Sequence, residues 1–506
     1  SVTVVATSTD DNTKSAMATI TIAIPVTTYN LLLNGTYAFE ISGNNTFSGV
    51  YQVGGVITAD GNGNITGGEQ VYNDSGTIVP GAILSGTYSF GADGRGAIIL
   101  TTSTSSIGVA GVETLGAVIT SGSHLLISGF DTSGTARGSM DLQTAVNPLT
   151  GGYAFVMNST YPTAIGGVFN IDTPGSISGA GSVVDIDSFG LIDTGTLTGT
   201  VSAPDSFGEV AITLTTATGF FSPALTMSGF IVDDTHIKLV ETDSFAASGG
   251  VAIAQGASAG TYEDNTAWSG NFVYGVFGAC EGGGTAIAGT LTADGAGNLS
   301  GLTDTNFQGL ETLGSTMTGT YAVDGSGTGR IEASTVVAGA EFNPNFIFYL
   351  TQPNLPMLVL ETDNYSLATG SASVQATGPY LFSGNYGLDF TSLVSGAESD
   401  GTSQITADGI GTFSGTVDVN SNQTSTPVVG LALTGTFTPD PSGRFASTVT
   451  PDSGTAYDAA FYFIDSTQGL LIETDTQQVT FGEFQAQGTI TPDLRRGKVA
   501  VKTIKK

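Results

Sequence analysis

TADGNGNITGG (Thr58–Gly68) recurs in this chain as TADGAGNLSG from Thr292 and as TADGIGTFSG from Thr406. An acidic loop rich in asparagine could hold calcium, which needs oxygen-bearing side chains at alternate positions. The second candidate ligand, Asn62, becomes alanine in one copy and isoleucine in the other, whereas the Asp-Gly-x-Gly pattern stays. We therefore interpret the stretch as a hairpin turn, where glycine adopts positive φ without steric cost.

The turn belongs to a larger unit that is repeated four times. NGTYAF from Asn34 returns as GGYAF, SGNFVYG and SGNYGL, and the matched aromatic residues are 114 to 119 residues apart. A second landmark, LSGTYSF from Leu84, recurs as LTGTVSA, MTGTYAV and LTGTFTP. A third is the run that ends in LVETD at Asp243, with LISGFD, LVLETD and LLIETD in the other copies. The sequence thus predicts four tandem domains of about 115 residues each.

Short alternating segments rich in Val, Ile, Thr, Phe and Tyr predict an all-β chain. The first copy contains eight such segments, at about 35–42, 50–59, 64–73, 82–91, 96–104, 112–120, 123–131 and 136–143. Short connections favour antiparallel hairpins. Each domain is predicted to be an eight-stranded barrel that hides its edges, with a two-layer sandwich as the alternative.

Domain boundaries follow from the repeats and from two unusual ends. They are 1–30 (terminal hairpin), 31–147, 148–258, 259–378 and 379–488 (four β-repeats), and 489–506 (basic C-terminal strand). Residues 1–25, SVTVVATSTDDNTKSAMATITIAIP, resemble the last two strands of a bacterial immunoglobulin-like domain. The whole chain resembles uncharacterised secreted bacterial proteins in which such a module precedes glycine-rich β-repeats. This resemblance implies a secreted, extracellular or cell-surface location and no known activity.

Charge and composition exclude several classes of function. The net charge is −32, with 44 acidic and only 12 basic residues, which argues against nucleic acid and anionic membranes as partners. No run of 18 apolar residues occurs, so no membrane insertion is expected. The single cysteine, Cys280, excludes a disulfide within this chain, and we expect a small buried or surface residue.

The sequence shows no recognisable catalytic, metal or cofactor site. His124 and His236 occupy equivalent points in the first two copies, without a cysteine–histidine cluster of the kind that binds zinc. The Glu-x-Asp pairs at 241/243, 361/363 and 473/475 could perform acid–base chemistry. Because an enzyme seldom repeats its active site along a chain, we assign these pairs a structural role at strand ends. We predict that the protein is not an enzyme and that Trp268, in a linker, packs between neighbouring domains.

The C-terminal end differs in charge from the rest of the chain. Six of the 12 basic residues lie in the last twelve positions, and KVAVKTIK alternates like a strand. It could be a basic tail, disordered or packed on its own domain, or a strand that docks on the next subunit. The candidate subunit-interface residues lie at both ends: Val2, Val4, Ile20, Ile22, Arg495, Arg496, Lys498, Val499, Val501, Lys502 and Ile504.

These features lead to a structural function as the main prediction. The chain is predicted to be a subunit of an extracellular bacterial fibre or surface layer, with copies of itself as partners and terminal strand exchange as the means of assembly. Four domains on short linkers predict an elongated molecule. The alternative is a secreted adhesin or a carbohydrate- or small-ligand-binding β-repeat protein, with surface glycans among its partners. Such a protein would show exposed aromatic platforms or hold its ligand inside a barrel.

Overall fold

The computed structural model describes most of the chain outside its two ends. The described residues are 2–7, 15–20, 29–45, 49–159, 163–216, 221, 224–244, 246–280, 283–394, 397–424 and 426–488. They form β-strands and three short 3-10 helices, Tyr29–Leu32, Gly256–Ser258 and Asn265–Ala267. Among these residues no helix has the length and apolar character needed to cross a membrane.

The first repeat is a closed, eight-stranded antiparallel barrel, here called barrel 1. Its strands are β3 (Asn34–Asn45), β4 (Val50–Asp60), β5 (Asn64–Asp74), β6 (Thr77–Phe90), β7 (Arg95–Thr102), β8 (Val112–Ser121), β9 (His124–Asp131) and β10 (Gly134–Leu142). Each strand pairs with the next, and β10 returns to pair with β3. The eight predicted segments and the preference for a barrel over a sandwich are confirmed.

Barrel 2 closes in the same way, with one irregular strand. Its strands are β11 (Gly151–Ser159), β12 (Ala164–Thr173), β13 (Ser176–Asp187), β14 (Ile192–Gly195), β15 (Leu197–Val201), β16 (Glu209–Thr216), β17 (Leu225–Ile231), β18 (His236–Glu241) and β19 (Ser248–Ala254). The fourth strand is split into β14 and β15, which both pair with β13. Pairing of β11 with both β12 and β19 completes the circle.

Barrels 3 and 4 repeat the arrangement without interruption. Barrel 3 has β20 (Ser269–Cys280), β21 (Gly283–Asp294), β22 (Asn298–Phe307), β23 (Leu310–Val323), β24 (Arg330–Val337), β25 (Asn345–Tyr349), β26 (Met357–Glu361) and β27 (Ser366–Val374). Barrel 4 has β28 (Ser383–Val394), β29 (Ala397–Asp408), β30 (Thr412–Ser421), β31 (Val428–Thr438), β32 (Arg444–Pro451), β33 (Tyr457–Asp465), β34 (Gln468–Glu473) and β35 (Val479–Ala486). First and last strands pair in both barrels.

The N-terminal hairpin forms as the sequence predicts. β1 (Val2–Thr7) pairs antiparallel with β2 (Ser15–Ile20), in a register that sets Val2 opposite Ile20. This two-stranded sheet joins no other sheet in the part of the chain that the structure describes.

The barrel interiors are filled by side chains. Strand β32 shows the reason, since its residues alternate strictly between buried and exposed positions. In barrel 1 the inward set includes Tyr37, Phe39 and Ile41, each at most 2% exposed. Equivalent apolar clusters fill the other three barrels. The alternative that a barrel holds its ligand inside is therefore wrong, because the interior of each barrel is packed.

Trp268 packs inside one barrel, and the prediction that it lies between two domains is wrong. The indole is buried in barrel 3 against Phe272, Tyr321 and Phe348, at ring-centroid distances of 5.7, 4.8 and 4.7 Å. Phe382 has the corresponding place in barrel 4, packed on the rings of its own core. A large side chain just before the first strand thus fills the end of the barrel.

The Asp-Gly-x-Gly stretches are hairpin turns, as predicted. The Asp60 carboxylate accepts hydrogen bonds from the backbone N–H groups of Asn62 and Asn64, at 2.7 and 3.0 Å. Gly61 and Gly63 adopt φ values of 75° and 104°. The Asn64 side-chain amide donates a third hydrogen bond, at 2.7 Å, and together with the backbone bonds it lowers the pKa of Asp60 to about 2. The aspartate is therefore fixed by hydrogen bonds within its own turn.

A glutamine at the end of each repeat fastens one barrel to the next. Its side-chain amide donates two hydrogen bonds to backbone carbonyls of the following barrel. The pairs are Gln143 with Phe207 and Ile231, Gln255 with Thr328 and Leu350, Gln375 with Ser442 and Phe463, and Gln487 with Asp93 and Ile119, all at 2.7–3.1 Å. Because the last glutamine reaches back to barrel 1, the four barrels form a closed ring in the order 1–2–3–4–1. The predicted elongated arrangement is wrong.

Apolar clusters reinforce three of the four junctions. Val56, Phe230 and Val240 meet between barrels 1 and 2. Comparable clusters join barrels 2 and 3 and barrels 3 and 4. The junction between barrels 4 and 1 is instead rich in polar contacts, such as the 2.8 Å hydrogen bond from Thr135 to the buried Asp400.

A buried asparagine at the end of the third strand adds a second fastening. Asn420 donates hydrogen bonds to the carbonyls of Gly129, Asp131 and Gly134 in barrel 1, at 3.0, 2.9 and 2.7 Å. Asn73 and Asn306 make equivalent contacts with barrels 2 and 4. The carbonyls that accept these hydrogen bonds lie at or just after the strand ends that carry the third sequence landmark. This landmark therefore lies at the contact between two barrels.

Replacing Asn420 with alanine should weaken the polar junction and lower the melting temperature. The change removes the hydrogen bonds of this amide across the junction, each of which contributes about 0.5–1.5 kcal/mol to stability. Asn62→Ala is the matched control, since Asn62 is exposed and the third repeat already has Ala296 at this position. Equal melting temperatures for the two variants, measured by circular dichroism, would contradict the proposed role of Asn420.

Candidate functional site

Ring closure creates a cavity of about 560 Å³ that is lined by all four barrels. Each barrel presents its first and last strands to this space: β3 and β10, β11 and β19, β20 and β27, and β28 and β35. These strands pair with each other to close each barrel, and residues of neighbouring strands, such as His124 on β9 and Glu398 on β29, complete the cavity wall. Its volume lies in the range of small-molecule sites.

Barrels 1 and 4 contribute a charged wall. Arg137 on β10 donates to Asp389 on β28 at 2.8 Å and lies 3.3 Å from the Glu483 carboxylate on β35. Its guanidinium also lies over the Phe481 ring, 5.7 Å from the centroid. Arg137 thus fixes these two acids across the junction.

Two further carboxylates on this wall have no cationic partner in direct contact. Glu40 forms no hydrogen bond through its carboxylate within the described chain, and Glu398 accepts one from the Asn44 amide. Burial raises the pKa of Glu40 to about 7, although the nearby charges of Lys238 and Arg137 act in the opposite direction. Burial also raises the pKa of Glu398 well above its usual value. Desolvation of this kind favours the neutral acid unless a cation compensates the negative charge.

His124, which lines the same cavity, has a buried ring nitrogen without a hydrogen-bond partner among the described residues. Its Nδ1 lies 2.5 Å from Asp141, which also pairs with Lys238 of barrel 2 at 2.7 Å. If Nδ1 carries the proton and donates to the carboxylate, Nε2 is an acceptor. Nε2 is buried and has no hydrogen-bond partner among the described residues. The charged wall therefore offers acceptors to a ligand that carries hydrogen-bond donors.

Apolar side chains from barrels 2, 3 and 4 also line the cavity. Phe189 and Val251 come from barrel 2, Phe277 and Leu367 from barrel 3, and Phe481 from barrel 4. The Phe277 and Phe481 rings stack with centroids 6.1 Å apart and planes 21° apart. Glycine keeps the backbone near this surface open, since a Cβ on Gly275 would lie 2.7 Å from Phe481. The cavity is thus suited to a molecule with one polar, donor-rich end and one apolar end.

The sequence-predicted interface residues lie away from this cavity or outside the described residues. Val2, Val4 and Ile20 are in the N-terminal hairpin. The others lie outside the described chain: Ile22, Arg495, Arg496, Lys498, Val499, Val501, Lys502 and Ile504. Their role in assembly stays a prediction.

The Glu-x-Asp pairs occupy buried strand ends. Glu361 accepts hydrogen bonds from the Asp363 backbone N–H and from the Ser366 hydroxyl, both at 2.8 Å. Cys280 is buried, with its thiol 3.1 Å from the Gly284 carbonyl, and burial raises the pKa of this thiol. These groups stabilise the barrels and do not line a common site.

Sequence reasoning missed the charged wall because its residues are not repeated. The position three residues after the first-strand aromatic is Glu40 in barrel 1 and Asp389 in barrel 4, but Val156 and Gly275 in the other two barrels. A search for positions where the four copies differ in charge would have identified these acids.

No protein-family model matches the chain, and no curated protein matches it. Among solved structures, intact Ap-TbpB with its N and C lobes is similar at 9% identity and a TM-score of 0.14, over 89% of this chain and 76% of that chain. A variant of transferrin binding protein B from Haemophilus parasuis Hp5 gives 10% identity and a TM-score of 0.14, over 90% and 76% of the two chains. At these values the likeness supports no conclusion about function.

Proposed function

We propose that this protein is a non-enzymatic binding protein that takes a small organic cation into the cavity at the centre of the ring. The observation that carries this proposal is that Glu40 and Glu398, neither of which has a cation in direct contact, line the same cavity as apolar side chains such as Phe277. This proposal corresponds to the small-ligand alternative drawn from the sequence and keeps the extracellular, cell-surface location proposed there.

The ligand class follows from the groups that line the cavity. An ammonium group donates strong hydrogen bonds to carboxylates and compensates the charge that burial disfavours. A short hydrocarbon tail would lie against Phe277 and Leu367, where loss of exposed apolar surface contributes about 25 cal/mol per Å². Sugars share the hydrogen-bond donors but lack the charge, so a neutral polyol tests the alternative directly.

Hexylammonium should bind the full chain more tightly than its neutral isostere 1-hexanol or glucose, as measured by isothermal titration calorimetry. Glu40→Gln should weaken hexylammonium binding by about tenfold or more, since a hydrogen bond to a charged group contributes about 1.5–3 kcal/mol. Glu263→Gln, which changes an exposed residue, is the control.

Binding of hexylammonium should also depend on pH. Because the pKa of Glu40 is about 7, affinity should increase as the pH rises through this value and the carboxylate ionises. Equal affinity for hexanol, or binding unaffected by Glu40→Gln, would contradict the proposal.

A fibre subunit remains a second candidate function, with one observation in its favour. β1 and β2 form a two-stranded sheet that joins no other described sheet, and such a hairpin is marginal on its own in water. In this proposal the hairpin completes a sheet in another copy of the chain, with the basic segment 489–506 as the exchanged strand.

Negative-stain imaging of the full chain beside a version that ends at Gly488 tests the fibre proposal. Filaments from the full chain that disappear on truncation, and that weaken with added salt, are the expected result because opposite charges steer the docking. Single rings from both versions would contradict polymerisation.

A further inference from the structure

Three of the four barrel junctions are held by an arginine that begins the fifth strand of one barrel and pairs with an aspartate of the barrel before it. The distances are 2.6–2.9 Å, and the pairs are Arg330 with Asp185, Arg444 with Asp304, and Arg95 with Asp418. Asp185 and Asp304 are fully buried and receive two hydrogen bonds each from their arginine. A buried, bidentate pair of this kind fixes the register between the two barrels.

The junction between barrels 1 and 2 lacks this pair. Glu209 begins β16 at the position that arginine has in the other barrels. Val71, two residues before Asn73, stands where the others have aspartate. The cationic side chain has therefore been replaced by an anionic one.

Three carboxylates converge at this point. Glu69 on β5 of barrel 1 and Asp205 and Glu209 of barrel 2 each place one oxygen within 4.8 Å of the others. No ion pair reaches any of the three within the described residues. Burial, followed by the neighbouring Asp205 and Glu209, raises the pKa of Glu69 to about 8. The cluster thus concentrates negative charge where the other junctions have a guanidinium.

A second observation points to a ligand. Glu69 is only 8% exposed, and its Oε1 is buried without a hydrogen-bond partner among the described residues. The other two acids are already oriented by the protein. Asp205 accepts hydrogen bonds from the Phe207 and Glu209 backbone N–H groups at 2.9 Å, and Glu209 accepts one from Ser228 at 2.6 Å. The cluster thus combines two carboxylates that the protein already orients with one buried carboxylate oxygen that has no partner among the described residues.

We propose that a calcium ion binds between barrels 1 and 2 through Glu69, Asp205 and Glu209 and takes the place that an arginine guanidinium has at the other three junctions. Hard carboxylate oxygens suit calcium, which accepts irregular geometry and six to eight oxygen ligands. Asp205 is exposed, so water can complete the coordination from that side. The ion stabilises the ring and lies apart from the central cavity.

Calcium titration of the chelator-treated full chain tests this site. Calorimetry should show one calcium ion per chain, and calcium should raise the melting temperature, because a ligand that binds only the folded state stabilises it. Glu69→Gln should abolish both effects, whereas Asp172→Asn, which neutralises an exposed acid of barrel 2, should leave both unchanged. Circular dichroism confirms that each variant keeps its β-structure.

Glu209→Arg provides an independent test, because it places an arginine at the position where the other three junctions have one. This variant should lose calcium binding, and its melting temperature should no longer respond to chelator. Absence of calcium binding by the unmodified chain would overturn the proposal. Calcium binding that survives both Glu69→Gln and Glu209→Arg would overturn it as well, since the ion would then lie elsewhere.

Discussion

The arrangement of the four barrels depends on one repeated contact. A glutamine at the end of each repeat donates two hydrogen bonds to backbone carbonyls of the next barrel. Gln143, Gln255 and Gln375 each fix the barrel that follows, and Gln487 returns the chain to barrel 1. Because the same contact is made four times, each time from one barrel to the next, the barrels form a closed ring. The cavity exists only because the ring is closed.

The four junctions between barrels are not equivalent. Three of them are held by apolar contacts, whereas the fourth carries the charged groups of the candidate site. Apolar clusters hold three junctions, so hydrophobic burial is concentrated there. The junction between barrels 4 and 1 instead carries buried acids and Arg137, and these groups face the cavity. Because ionising a buried carboxylate is costly, burial raises the pKa of Asp400 to about 6. Barrels 1 and 4, whose contact closes the ring, therefore also supply the acids of the candidate site.

The sequence predicted what depends on local pattern and missed what depends on single contacts. Alternation of apolar residues and Asp-Gly-x-Gly turns gave eight strands in barrel 1 within a few residues of the observed bounds. Ring closure was missed because a glutamine repeated every 112 to 120 residues does not reveal the backbone carbonyls that it meets. Trp268 was misplaced because its position in a linker does not reveal that the linker folds back into the barrel end. The candidate site was missed because Glu40 and Asp389 interrupt the repeat pattern instead of following it.

Small-angle X-ray scattering of the full chain in solution tests ring closure most directly. A compact chain of this length should have a radius of gyration of about 23 Å. We expect a value near this one, with a distance distribution that has one broad maximum. A clearly larger radius, with the scattering of a rod of four barrels in line, would contradict the closed ring and with it the central cavity.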